Sequence, residues 1–259
     1  MKFKYVFIAL SLTLGIFLAI FFYYRFDPGL LTRLSFYLNL ANPYVRIVKV
    51  QEGLRNEQVA DIVGDKLAWS EAEKAEFLNS VSVEGHIFPK TYLLDQDADP
   101  AAVTETMTDE FAKEMGKVKK PASMQIINQD TAIKIASIIQ REAAGKQDMN
   151  LISGIIWNRL FNGMKLQIDA TLQYAKGNEE DGWWTKVDSA DKTIESAYNT
   201  YLYQGLPPGP ISNPGLAAIS AAFNPAKTDC LFYLHDKRHK IHCAKTYEEH
   251  LVNIKRYLQ

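Results

Sequence analysis

Twenty consecutive residues without a charge, YVFIALSLTLGIFLAIFFYY from Tyr5 to Tyr24, constrain this chain more than any other feature. At about 1.5 Å of rise per residue, a helix of that length matches a hydrocarbon core of about 30 Å and satisfies every backbone group inside it. The run is therefore predicted to be a transmembrane anchor. A cleaved signal would be shorter and would end at a small-residue site, whereas here Phe21, Phe22, Tyr23, Tyr24 and Arg25 follow, with aromatic residues at the outer interface. Length and the lack of a polar stripe argue against a buried core helix. Lys2 and Lys4 before the span and Arg25 and Arg33 after it give little charge asymmetry, but the short N-terminal flank favours a cytoplasmic start. The remaining roughly 230 residues are then expected outside the cytoplasmic membrane, anchored to it by a single pass.

Those residues have the composition of a folded protein, with 47% hydrophobic and 23% charged residues over the chain. Because 29 basic residues face 30 acidic ones, no global field attracts a polyanion, and nucleic acid is not an expected partner. Cys230 and Cys243 flank a predicted hairpin and can pair in an oxidising compartment, although spacing alone leaves that open.

The predicted class is α+β, with the anchor at 1–25, a connector at 26–44, a small lobe at 45–95 and a larger mixed α+β domain at 96–259. In the small lobe VRIVKV (45–50) reads as a strand, and Val59, Ile62, Val63 and Leu67 recur at helical spacing. A second helix opens with the capping box Ser70 and Glu73. A strand followed by two short helices is the layout of a carbohydrate-binding LysM-like module. The larger domain begins with an amphipathic helix capped by Asp99 and Pro100, then a helix pair with Gly145 and Gly163 as stops. A polar Gly/Pro-rich region, a short helix, a strand, a turn and a C-terminal helix complete it. No internal repeat is visible.

One residue in the helix pair is out of place. Ile135, Ile138, Ile139 and Glu142 share one face, so a carboxylate sits on the stripe that should meet the core. Desolvation there penalises the charged form and raises the pKa, which suits a general acid; a salt bridge or helix-end contact is the competing reading. The next helix repeats the pattern, with Arg159 on the face of Ile152, Ile155 and Ile156. A buried cation wants an anion, either Glu142 or Asp169. LQIDATLQY groups Gln167, Asp169, Thr171 and Tyr174 around a predicted turn, where Asp169 can serve simply as a helix cap. The loop YNTYLYQGLPPGPISNPG supplies aromatic faces and amides that suit sugar rings. His235, His239 and His242 cluster in a turn, but no zinc spacing accompanies them, and no metal site is expected. Nucleophile-elbow, P-loop and dinucleotide-binding glycine patterns are absent from the sequence.

Taken in order, ASIIQREA, GIIWNRLFNGMKLQIDATLQY, AYNTYLYQGLPPGPISNPGLAAISAAFNPA and TYEEH behind an N-terminal apolar helix resemble the YceG-like, or MltG-type, endolytic murein transglycosylases. The resemblance covers about 45–258 and is densest from 132 to 228. It implies one catalytic glutamate, at Glu142. Where that family often has a second glutamate two residues earlier, this chain has Gln140. It implies cleavage of the MurNAc-β-1,4-GlcNAc bond inside peptidoglycan glycan strands without water, no cofactor, and peptidoglycan synthases (penicillin-binding proteins) as neighbours. Gln167, Asp169, Thr171, Tyr174, Asn199 and Tyr201 would line the cleft, with Arg159 a further candidate substrate contact. Three departures stand out: Asp-Ala-Thr at 169–171 replaces the usual Asp-Pro-Thr, IHCAKT only loosely meets an H-x-F-x-x-T pattern, so that a role for His242 does not carry over, and the small lobe is short. Two rivals remain, a hydrolytic muramidase using Asp169 as second carboxylate and a non-catalytic glycan-binding scaffold. A pyridoxal-phosphate lyase would need a Schiff-base lysine and phosphate cradle that the sequence does not offer.

Overall fold

The computed structural model describes residues 13–17, 42–81 and 83–259. Of the predicted anchor only 13–17 is described, as helix; the rest of it, and nearly all of the connector, lies outside the described residues. Among the described residues no helix is long and apolar enough to cross a membrane. From residue 42 onward the chain is α+β, as expected.

The small lobe is a β-α-α-β unit. Strand β1 (Val45–Lys49) pairs antiparallel with β2 (Thr91–Asp95), Val48 facing Tyr92, and both of those side chains are buried. Helices α1 (Asn56–Leu67) and α2 (Glu71–Val81) lie between them in sequence and close over one core. Of the predicted stripe on α1, Val59, Val63 and Leu67 are buried and Ile62 packs at the margin. The Ser70 amide donates to Glu73 Oε2 at 2.7 Å, and the Glu73 amide returns a bond to Ser70 Oγ at 3.4 Å, so the capping box forms.

Helix α3 (Pro100–Met115) starts where Asp99 accepts from the Ala102 amide at 2.7 Å. Its Val103 and Met107 enter the small-lobe core, while Phe111 and Met115, farther along the same stripe, enter the larger one. The division drawn between 95 and 96 is thus bridged by a helix that belongs to both cores.

The larger core is built on α4 (Gln129–Glu142), α5 (Lys146–Phe161) and α7 (Leu216–Phe223), with Ile133, Ile138, Ile152, Trp157, Ile219 and Phe223 among its buried residues. Gly154 lets α5 approach the 226 backbone, because a Cβ there would run into the Ala226 carbonyl. Gly145 does not stop α4: the helix ends at Glu142, where Ala143 turns extended, and Gly145 instead caps α5. Gly163 does terminate α5. It adopts φ +61°, and the Met164 amide returns to the Arg159 carbonyl at 2.9 Å in a Schellman-type closure. Helix α6 (Asp169–Lys176) follows, and the chain finishes with the hairpin β3 (Phe232–His235) and β4 (Ile241–Ala244) and with α8 (Tyr247–Tyr257). A Cys230–Cys243 disulfide staples the hairpin, settling the pairing that spacing left open.

Candidate active site

Helix α4 ends at a cleft of about 540 Å³, walled by α5, the Leu166–Asp169 turn, the β3 strand and one face of α8. Glu142 is its last helical residue and lines that cleft. Helical periodicity keeps the carboxyl on the stripe of Ile135, Ile138 and Ile139, but the helix stops there, so the side chain emerges at the edge of the core and not inside it.

Burial raises the Glu142 pKa above the ordinary carboxyl value, and the nearby Asp169 charge pushes the same way. Three contacts oppose that shift: a bond from the Tyr233 phenol, whose Oη lies 2.6 Å from Glu142 Oε2, one from the Ala170 amide, and the field of His235. The net direction is upward, so the protonated form is favoured beyond the range of a free glutamic acid. Strand alternation puts Tyr233 and His235 on the same side of β3, and the His235 Nε2 meets the buried Asp148 carboxylate at 3.2 Å.

Asp169 lines the cleft and accepts from the Tyr201 phenol at 2.6 Å. It is not the helix cap that its position suggests, since α6 begins at Asp169 itself and Ile168 occupies the cap position without a side-chain bond. Gln167 also lines the cleft, held in a left-handed backbone conformation (φ 52°).

Arg159 is in the cleft wall, yet neither Glu142 nor Asp169 is its hydrogen-bond partner. Its Nε donates to the Leu231 carbonyl at 2.6 Å, and Nη1 donates to the carbonyls of Leu166 (2.6 Å) and Lys165 (3.2 Å). The anion that the sequence seemed to demand is replaced by three backbone dipoles. Arg159 therefore ties the start of the hairpin to the turn that carries Asp169.

The other candidate contacts sit outside the lining. Thr171 is fully buried, with its hydroxyl bonded to the Ile168 carbonyl (2.7 Å) and to Thr200 Oγ1 (2.9 Å). Asn199 is fully buried too, and its amide donates to the carbonyls of Lys192 and Ile194. Both pin the loop that delivers Tyr201. Tyr174 faces the small lobe, where its ring packs on Tyr198 and under the Arg55 guanidinium, 4.1 Å from the ring centre. Gln140 also turns away from the cleft, accepting from the Gly215 amide at 3.0 Å. His242 pairs with Asp236 at 2.9 Å and stacks on Tyr257. Among the described residues no cluster of His, Cys, Asp or Glu could hold a metal ion.

Sequence reading missed Tyr233 and the wall of Phe232, Tyr247 and His250, and it weighed His235 only as a metal ligand, not as the partner of Asp148 beside the cleft. Alternation in the strand CLFYL gave a weak signal for Tyr233, and TYEEH holds Tyr247 and His250 within a motif without assigning them a role.

Residues 23–256 match the YceG-like family. The endolytic murein transglycosylase of Bacillus subtilis (strain 168) is 30% identical over 236 residues, covering 81% of this chain and 64% of that protein. The protein of the same name from Streptococcus pneumoniae serotype 2 (strain D39) is 33% identical over 178 residues, covering 66% of this chain and 32% of its own length. The chain thus spans less than two thirds of the length of these curated relatives. A crystal structure of a yceG-like protein from Listeria monocytogenes aligns with a TM-score of 0.71 at 28% identity, over 80% of this chain and 76% of that one. With the family match running almost end to end and the fold shared at that similarity, the chain belongs to the YceG-like family.

Proposed function

We propose that this protein is an endolytic peptidoglycan lytic transglycosylase, cleaving MurNAc-β-1,4-GlcNAc bonds within nascent glycan strands and leaving 1,6-anhydroMurNAc ends. The observation that carries this reading is Glu142: a carboxyl biased toward its protonated form by burial, at the edge of an open cleft. The names of the relatives point the same way.

Glu142 acts twice. Its proton goes to the glycosidic oxygen as the C1–O bond breaks, and positive charge builds on the MurNAc ring. The resulting carboxylate then takes the proton of the MurNAc C6 hydroxyl as that oxygen closes on C1. Glu142 ends protonated, no water is consumed, and one carboxyl suffices because the substrate supplies the nucleophile. Tyr201 holds Asp169 beside this centre, where its charge can favour a cationic ring. Gln167 and Arg159 are further candidate contacts to the glycan.

A hydrolytic muramidase remains as second reading because Asp169 shares the cleft with Glu142 and interacts with it electrostatically. Digestion of uncross-linked glycan by the full-length protein, wild type beside Glu142→Gln, separates the two. Anhydro ends that vanish in the variant support the transglycosylase, and reducing ends support the muramidase. Binding without turnover in either protein would favour a scaffold.

The small lobe is read as LysM-like on its β-α-α-β order, and as a second hold on glycan. The uncharged N-terminal run would anchor the enzyme in the cytoplasmic membrane with the body outside, where an oxidising compartment suits the disulfide. Termination of strands there would place it beside the synthases that extend them.

A further inference from the structure

We propose that Tyr233 is the positioning residue of Glu142, its phenol fixing the direction in which the carboxyl faces the cleft. The inference rests on the reading of Glu142 as the acid and adds a residue that acts through it.

Tyr233 donates to Glu142 Oε2 at 2.6 Å, in the range of a strong charge-assisted O–H···O bond. A glutamate at the end of a helix has three side-chain torsions and no further turn to pack against, so it needs a partner to hold one rotamer. The Ala170 amide offers one bond, and the phenol makes the second from another element. The phenol itself is held from several directions. Its ring packs against the larger core. Its strand position lies directly opposite Cys243, one end of the disulfide, and Leu231, two residues earlier, is tethered by Arg159. His235, two residues later, is tethered by Asp148. A rigid hairpin therefore aims one hydroxyl at one carboxyl oxygen.

The consequence differs between the two halves of the reaction. A phenol that donates stabilises the carboxylate, the form that exists only between the two proton transfers. Other charged or polar groups around Glu142 are Asp169 and the Ala170 amide on α6, His235 on β3, Arg141 on α4 and Tyr201 on its loop. Tyr233→Phe keeps the ring and leaves all of these in place.

In full-length protein Tyr233→Phe is expected to lower kcat about ten- to hundredfold, the span of a lost charge-assisted bond, with KM unchanged. Because that bond favours the ionised carboxyl, its loss moves the basic limb of the pH–rate profile to higher pH, by about one to two units. A residue that only packs would lower kcat and leave the limb where it is, and that result would overturn the proposal. Substituting a fluorinated tyrosine at 233, a stronger donor, must move the limb to lower pH; no movement would count equally against it. Infrared titration of the Glu142 carboxyl, its band assigned by its absence in Glu142→Gln, reads the same shift without turnover. If the wild type yields no anhydro product, the functional reading falls, while the titration still decides whether Tyr233 controls Glu142.

Discussion

Two glutamates in this protein are pushed up by burial, and they sit in opposite kinds of surroundings. Glu84, at the junction of the small lobe and the larger domain, is raised to about 8. Its oxygens accept from the Asn56 amide at 3.1 and 3.3 Å and from Asn213 Nδ2 at 3.1 Å. Asn213 in turn receives the Ile87 amide and donates to Asn56 Oδ1, so the carboxyl is a node in a closed network joining two lobes. Glu142 has a phenol and one amide on one side and a cleft on the other. A raised pKa therefore does not single out an acid catalyst. What separates the two is an unfilled direction: Glu84 spends its lone pairs on the protein, while Glu142 keeps capacity for something that arrives.

The sharpest break of this comparison is the pair Glu142→Gln and Glu84→Gln. Loss of the cleft carboxyl should reduce anhydro-product formation by about 10³-fold, within the usual contribution of general acid–base catalysis, whereas the junction variant should turn over like wild type. Mass-resolved digests of the two side by side would show whether accessibility is the right criterion. Next in size is the staple beneath the cleft. Replacing Cys230 and Cys243 together by Ser should cost about 3 kcal/mol in denaturant unfolding, given the short loop closed, and should lower turnover because the hairpin carries Tyr233. Glu84→Ala comes third: it orphans the Asn56 amide and takes one acceptor from Asn213 Nδ2, which keeps Asn56 Oδ1 and the Leu54 carbonyl, for about 1–3 kcal/mol, read in the same unfolding experiment.

A further test concerns pH. The folded Glu84 holds its proton more tightly than the unfolded chain does, so stability is full below the ordinary carboxyl value of 4.5 and is lost as pH rises to about 8. Unfolding midpoints measured from pH 4 to 9 should decline across that window in wild type and decline less in Glu84→Gln. On the proposed mechanism, activity is expected to follow the other glutamate. It should fall as pH rises through the elevated value of Glu142, and the limb should be the same in Glu84→Gln.

Much of the local structure was readable because it depends on neighbours in sequence. Asp99 and Ser70 cap the helices they precede, and Gly163 closes α5 at a left-handed position. Glu142 was conspicuous for the same reason, since a carboxylate on an isoleucine stripe violates a period that any helix must obey. The misreadings share a different cause. Arg159 sits on an apolar face as expected, but its partners are carbonyls from segments 6 to 72 residues away in sequence, which no periodicity reports. The family resemblance groups Thr171 and Asn199 with the cleft, yet their hydrogen bonds are spent on the loop backbone.

The sequence by itself determined the elements, the acid at the end of α4 and the family likeness, because helix period, caps and turn glycines act over a few residues. Tertiary structure alone decided what the acid touches. Tyr233 is 91 residues from Glu142, and only the packing of a disulfide-closed hairpin against a helix end brings the phenol to the carboxyl. The same packing left Glu84 enclosed and Glu142 open, a distinction set by the space around each carboxyl and not by the residues beside it in the chain.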